Sequence, residues 1–213
     1  MHWTEDIFAV SRRPAGCPGS QLGEDEILAD LLPDGPIVYV DVGAAAPVEC
    51  NNTWQFYLAG GHGLLIEPMA QHWPALLRQR HRDRLWPTAA GAEHGEATLR
   101  EFGSGSSLLP DWEIVETGTS RVEVMPLAEI LNLFPTIRDK CQFLDVDVEG
   151  FERQVFEGID WRTFHPRVIC AEWIWFHPPN FDGRDVSLEW APILTTQGYR
   201  EVARTEHNAI YAL

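Results

Sequence analysis

Positive charge is what this sequence has least of. Its 213 residues include 16 Lys or Arg against 32 Asp or Glu, a formal net charge of −16. So negative a surface is a poor partner for phosphate backbones or anionic lipid. The densest basic stretch, Arg78, Arg80, Arg82 and Arg84, is diluted by Asp83 and reads as a solvated helix end rather than a nucleic-acid surface. Long apolar runs are also missing: none approaches the ~18–20 residues of a membrane span, and the N-terminus carries no signal-peptide core. The four cysteines, Cys17, Cys50, Cys141 and Cys170, form no Cys-x-x-Cys pair. Cys141 and Cys170 sit in apolar, strand-like runs, so buried free thiols are expected rather than disulfides or zinc ligands. The expectation is a soluble, cytoplasmic protein with no nucleic-acid partner and no membrane span. What is present supports a packed core: 45% hydrophobic residues, with nine Trp and ten Phe, exclude disorder. The length suits one domain over 1–213, with 1–19 as an irregular lead-in.

After that lead-in, short β-branched runs alternate with helical spacing. Residues 21–32 place apolar side chains at 22, 27, 28, 31 and 32 before Pro33 and Gly35, which predicts a helix. Strands are predicted over 37–41, 63–67, 141–147 and 167–172, with a weaker one around 85–90. Helices are predicted over 52–59, 70–79, 127–134, 151–157 and 188–196. Residues 96–125, with the Gly103-Ser-Gly-Ser-Ser107 run, read as an insertion of short strands and loops. Two final runs, 199–204 and 208–213, are separated by too few residues for a parallel crossover and must pair antiparallel. Alternation of this kind predicts an α/β fold, a mostly parallel sheet flanked by helices and closed by a C-terminal antiparallel hairpin. That is the Rossmann-like methyltransferase architecture rather than the six-stranded dinucleotide fold.

In open α/β sheets the ligand crevice lies beyond the carboxyl ends of the strands. Four predicted strands finish there on acids, Asp41, Glu67, Asp147 and Glu172, which makes a negative crevice suited to polyhydroxyl and cationic ligands. Gly43, in the turn after strand one, lets the backbone approach a ligand, and Glu67 can grip both hydroxyls of a ribose. A dinucleotide site needs Gly-x-Gly-x-x-Gly for its pyrophosphate, but Ala45 and Val48 stand at the second and third positions, and Asp41 would repel phosphate. S-adenosylmethionine fits better, having a ribose, a sulfonium and no phosphate. Ala44 and Pro68, beside Gly43 and Glu67, complete the expected cofactor contacts. The 103–107 run is neither a nucleophile elbow nor a phosphate loop, since it lacks both Gly-x-Ser-x-Gly and the P-loop lysine.

Ser20-Gln-Leu-Gly-Glu-Asp25, Tyr39-Val-Asp-Val-Gly-Ala44, Asn52-Thr53, Phe56-Tyr57, Gly63-Leu-Leu-Ile-Glu-Pro68, Ser106-Ser-Leu108, Phe143-Leu-Asp-Val-Asp-Val-Glu-Gly150, Gly198-Tyr199 and Asn208 stand in order. Together they resemble the FkbM-type methyltransferases from about Ser20 onward. The resemblance implies S-adenosylmethionine-dependent methyl transfer to a hydroxyl of a small-molecule acceptor such as a sugar or polyketide. By position it implies Asp41 and Gly43 at the methionine part, Glu67 at the ribose, and Asp147 near the methyl and the acceptor. Two departures stand out. Asp145 occupies a position where the family commonly has lysine, and Gly61-His62 replaces a frequent Trp and basic residue.

An alcohol acceptor must lose its proton as the new bond forms. Candidates beyond the fourth and fifth strand ends are Asp147, Glu149, Glu172 and His177. Asp145 and Asp147, two apart, share a strand face if the strand runs that far, and such a pair can recruit Mg²⁺ or another divalent cation. Alternatively, Asp145 faces the opposite layer. Trp173, Trp175, Phe176 and Trp190 are expected mainly in the core, with some aromatic surface available to stack on an acceptor. Two other readings stay open: a non-catalytic nucleoside- or glycan-binding module in the same crevice, and a cofactor-free hydrolase using Glu149 and Glu172.

Overall fold

The computed structural model describes residues 19–20, 22–101, 106–109, 118–177 and 182–213, with backbone alone for 175–177 and 182. The lead-in before residue 19 and most of the 103–107 run lie outside the described residues. In chain order the elements are α1 (Glu24–Leu31), β1 (Val38–Val42), α2 (Trp54–Leu58), β2 (His62–Ile66), α3 (Trp73–Gln79), β3 (Arg84–Trp86) and β4 (Ala89–Gly91). Then come β5 (Gly95–Glu101), β6 (Gly118–Pro126), α4 (Leu127–Leu133), α5 (Pro135–Lys140), β7 (Phe143–Val146), α6 (Glu152–Glu157) and β8 (Val168–Glu172). The chain closes with β9 (Ile174–His177), β10 (Asp182–Asp185), α7 (Ser187–Thr196), β11 (Arg200–Arg204) and β12 (Asn208–Ala212).

Seven strands form the central sheet in the order β11-β12-β8-β7-β1-β2-β3. The pairs from β8 to β3 are parallel, while β12 runs antiparallel to both β8 and β11. The Rossmann-like methyltransferase architecture with its antiparallel C-terminal hairpin is therefore observed. Strand periodicity divides the core. Val38, Val40 and Val42 face α4 to α7, packing with Leu127, Ile130, Phe156 and Trp190. Tyr39 points to the other side, where Leu28 of α1, Phe56 of α2 and Leu76 of α3 cover it. This two-sided burial explains why β1, β7 and β8 are buried throughout rather than alternating.

The strand expected around 85–90 is split. Pro87 and Thr88 interrupt it, so β3 ends the central sheet while β4 joins β6 and β5 in a separate three-stranded sheet. Residues 96–125 hold two longer strands, β5 and β6, paired antiparallel from Gly95↔Val124 to Glu101↔Gly118. The basic stretch also differs from expectation. Arg78, Arg82 and Arg84 are exposed, but Arg80 is 1% exposed. Among the aromatic residues, Trp190 is core, as expected, while Trp173 lies half-buried beside the Arg204 guanidinium. Cys141 and Cys170 are free thiols, half-buried and buried respectively.

Candidate active site

β1 pairs with β2 on one side and β7 on the other, so consecutive connections leave it in opposite directions. At that point the loops at the strand ends part and leave a cleft. Its empty volume is about 550 Å³, and Gly43, Ala45, Glu67, Leu108, Asp147 and Glu149 line it.

Gly43 makes the floor. Its φ of +88° is left-handed, and its N–H donates to the Ile66 carbonyl at 2.9 Å. A Cβ there would run into the carbonyl oxygen of Asp147, whose own N–H donates to Val42 at 3.0 Å. The turns after β1 and β7 are therefore in direct backbone contact, which only glycine permits. Gly43→Ala is expected to cost about 2–5 kcal/mol, combining left-handed strain with a forced separation of the two turns. Thermal unfolding measures it, and an unchanged melting temperature would refute the close approach.

Glu67 leaves β2 at 3% exposure. Its Oε2 accepts the Ala45 N–H at 2.8 Å and its Oε1 the Met69 N–H at 2.7 Å. Burial pushes its pKa up from 4.5 to about 7, against the lowering effect of those two bonds. Pro68 lines the cleft beside it.

Asp41 and Ala44 lie behind the cleft rather than on it. Asp41 is 3% exposed, and its Oδ2 accepts Thr53 Oγ1 at 2.7 Å and Asn51 Nδ2 at 3.1 Å. Asn51 also reaches the carbonyls of Ala44 and Ala46. Asp41 thus holds the loop that carries Gly43 and Ala45. Behind it, all five N–H donors of Arg80 are engaged. Nε reaches Asp83, one terminal nitrogen reaches Pro47 O and Asn51 Oδ1, and the other reaches the Tyr39 hydroxyl and Thr53 Oγ1, all at 2.8–3.0 Å. Asp83 in turn accepts the Tyr39 hydroxyl and the Gly63 N–H.

Asp145 stands opposite Asp41 on β7, 5% exposed, and accepts Asn52 Nδ2 at 3.1 Å. It does not join Asp147. Instead, Asp147, Glu149 and Glu172 converge: one carboxylate oxygen from each lies within 4.8 Å of the others. Burial and then the neighbouring carboxylates, Asp147 among them, push Glu149 and Glu172 well above the usual range. Glu149 holds φ +54°, and its carbonyl accepts Ser107 Oγ at 2.7 Å, anchoring the segment that puts Leu108 over the cleft. His177 lies in β9, and its side chain is outside the described residues.

Several cleft and support residues escape sequence reasoning. Leu99 comes from β5, far from any strand-end acid, and Leu108, which stood in the family pattern with no role attached, comes from the segment that returns to β5. Arg80 had one local signal, its i,i+3 relation to Asp83.

The sheet order, with the glycine turn at its switch point, defines the Rossmann-like methyltransferase fold. Residues 41–201 match the Methyltransferase FkbM domain. The chain belongs to the FkbM methyltransferase family. A crystal structure of an FkbM methyltransferase from Methylobacillus flagellatus is similar, with a TM-score of 0.55 and 16% sequence identity over 87% of this chain and 46% of that one. The likeness carries the fold, and this chain spans less than half of that neighbour's length. No curated protein matches the chain. Among the described residues no helix is long and apolar enough to cross a membrane.

Proposed function

We propose that the chain transfers a methyl group from S-adenosylmethionine to a hydroxyl of a small-molecule acceptor, of the sugar or secondary-metabolite class. The observation that carries this is Glu67, a buried carboxylate at the end of β2 that lines the cleft beside the Gly43 turn. Apolar Met69, Ala89, Leu99 and Leu108 offer walls for a base, while among the described residues no Lys or Arg lines the cleft to meet phosphate. These residues suit a cationic, phosphate-free nucleoside.

When bound, S-adenosylmethionine supplies an electrophilic methyl group on a sulfonium that departs as a neutral thioether. Glu67 would hold the ribose hydroxyls, and Gly43 and Ala45 would let the chain backbone come close to the methionine part. Asp147, Glu149 and Glu172 would orient the acceptor hydroxyl and take its proton. Once ionised, Glu149 and Glu172 are stronger bases than free carboxylates because burial and then neighbouring carboxylates raise them. Alignment of the two reactants supplies the rest, up to about 7–11 kcal/mol of the barrier.

Isothermal titration of the purified chain with S-adenosylhomocysteine tests this reading. Saturable one-to-one binding is expected, and absence of binding by folded protein overturns it.

A further inference from the structure

Asp147, Glu149 and Glu172 form a group that neither the fold nor cofactor binding requires. One carboxylate oxygen of each lies within 4.8 Å of the other two. Among the described residues, no hydrogen bond or ion pair reaches any of the three carboxylates. Glu172 supplies a second, separate observation. It is 8% exposed, and its Oε2 is shut away from solvent without a hydrogen-bond partner. A buried carboxylate oxygen left unpaired beside two further carboxylates is costly unless a proton or a cation completes it.

Oxygens around an octahedral cation at about 2.1 Å stand roughly 3.0 Å apart when adjacent and 4.2 Å when opposite; at about 2.4 Å these become roughly 3.4 and 4.8 Å. The 4.8 Å bound reaches the opposite-ligand spacing of a cation with ligands at about 2.4 Å, and one with ligands at about 2.1 Å would draw the three oxygens closer together. The donor set is all oxygen, which selects hard cations over zinc or copper. The supports are firm as well. Glu152 Oε1 accepts the N–H groups of both Val148 and Gly150, bracing the turn on either side of Glu149. Glu172 is held in β8 opposite Asn208 of β12. Asp145, the other acid of the β7 end, is occupied with Asn52 and is not a ligand.

We propose that Asp147, Glu149 and Glu172 bind a divalent cation of the Mg²⁺ or Mn²⁺ class, whose open positions receive hydroxyl groups of the acceptor. Asp147 and Glu149 line the cleft, so an ion between them and Glu172 sits at the cleft's edge. Three protein ligands leave about three positions free, enough for two neighbouring hydroxyls of a diol. A hydroxyl on the ion gives up its proton more readily, to a carboxylate oxygen of the same group that is not on the ion. The acceptor part of this inference rests on the proposed methyl transfer; the ion-binding part stands without it.

Mn²⁺ is the probe, titrated into the metal-stripped 213-residue chain and followed by calorimetry and electron paramagnetic resonance. One saturable ion per chain is expected, with a rise in melting temperature. Glu172→Gln is expected to weaken Mn²⁺ binding at least about tenfold and to lose the thermal gain. Without Mn²⁺ that variant should melt no lower than the wild type, because a repelling charge has gone. Glu149→Gln gives the same readout from the other side of the ion. No saturable binding up to about 1 mM, or equal binding by both folded variants, overturns the site. S-adenosylhomocysteine is titrated separately in the presence of a chelator. If it binds while Mn²⁺ does not, the ion site falls and the proposed function stands. If Mn²⁺ binds while it does not, the ion site stands and its role toward an acceptor falls.

Discussion

Glu67→Gln is expected to weaken S-adenosylhomocysteine binding about 100-fold near pH 8, the loss of two charge-assisted hydrogen bonds at roughly 1.5 kcal/mol each. The carboxylate already satisfies the N–H groups of Ala45 and Met69, so its remaining acceptor capacity is what a ribose diol would meet. An amide carries a single acceptor oxygen, and its NH₂ would face one of those backbone donors. The variant should therefore also melt somewhat lower. Titration calorimetry on the folded variant is decisive: an affinity within about threefold of wild type removes Glu67 from the cofactor site.

The same residue sets two opposite pH trends. With its pKa raised from 4.5 to about 7, native Glu67 keeps a proton that the unfolded chain has released between those values. Its contribution to stability is complete below about pH 4.5 and is lost as pH rises through about 7, a span of roughly 3 kcal/mol. Glu152, also raised to about 7 mainly by burial, acts in the same direction. The difference between wild type and Glu67→Gln isolates the Glu67 share. Cofactor affinity should run the other way, falling up to about tenfold per pH unit below 7, because the anion is the acceptor. Parallel trends in melting temperature and affinity would contradict this assignment.

Much of this was legible because it is local. Apolar strands with an acid at or next to their carboxyl end identify themselves in one window, as Val168–Glu172 and Val38–Val42 do. The chain order of strands and helices then leaves few topologies. Glu67 was legible for the same reason, since it is the first residue after β2, at the carboxyl edge of a parallel sheet where the crevice lies. Asp41 was harder: its acid ends the apolar run, but whether it faces ligand or brace depends on Thr53 and Asn51, 12 and 10 residues further on. Asp145 shows the limit of strand parity. Alternation puts it on the face of Asp147 only if the strand continues, and β7 ends at Val146. Asn52 then takes the Asp145 carboxylate, while the turn carries Asp147 to Glu149 and Glu172. The short α5 and the β9–β10 pair carry too few residues to show a period at all.

Arg80→Met is expected to be the most destabilising single change, costing about 3–5 kcal/mol and lowering the melting temperature by on the order of 10 °C. Methionine fills the volume but leaves Asp83 buried with its charge unpaired. It also strips acceptors from Pro47, Asn51, Thr53 and Tyr39 of their only guanidinium donor. Arg80→Lys should recover little, because three donors on one nitrogen cannot span acceptors that the planar fork reaches from five directions. Adding Asp83→Asn to Arg80→Met should restore part of the loss, since it removes the orphaned charge; a strictly additive double mutant would show that the pair is not coupled. The network joins β1 through Tyr39 and Asp41, β2 through Gly63, and the 44–53 loop through Asn51 and Thr53. Any variant that stays folded should therefore lose cofactor affinity as well, although Arg80 does not line the cleft. One buried cation inside a chain of net charge −16 thus sets the position of the turn on which the cleft is built.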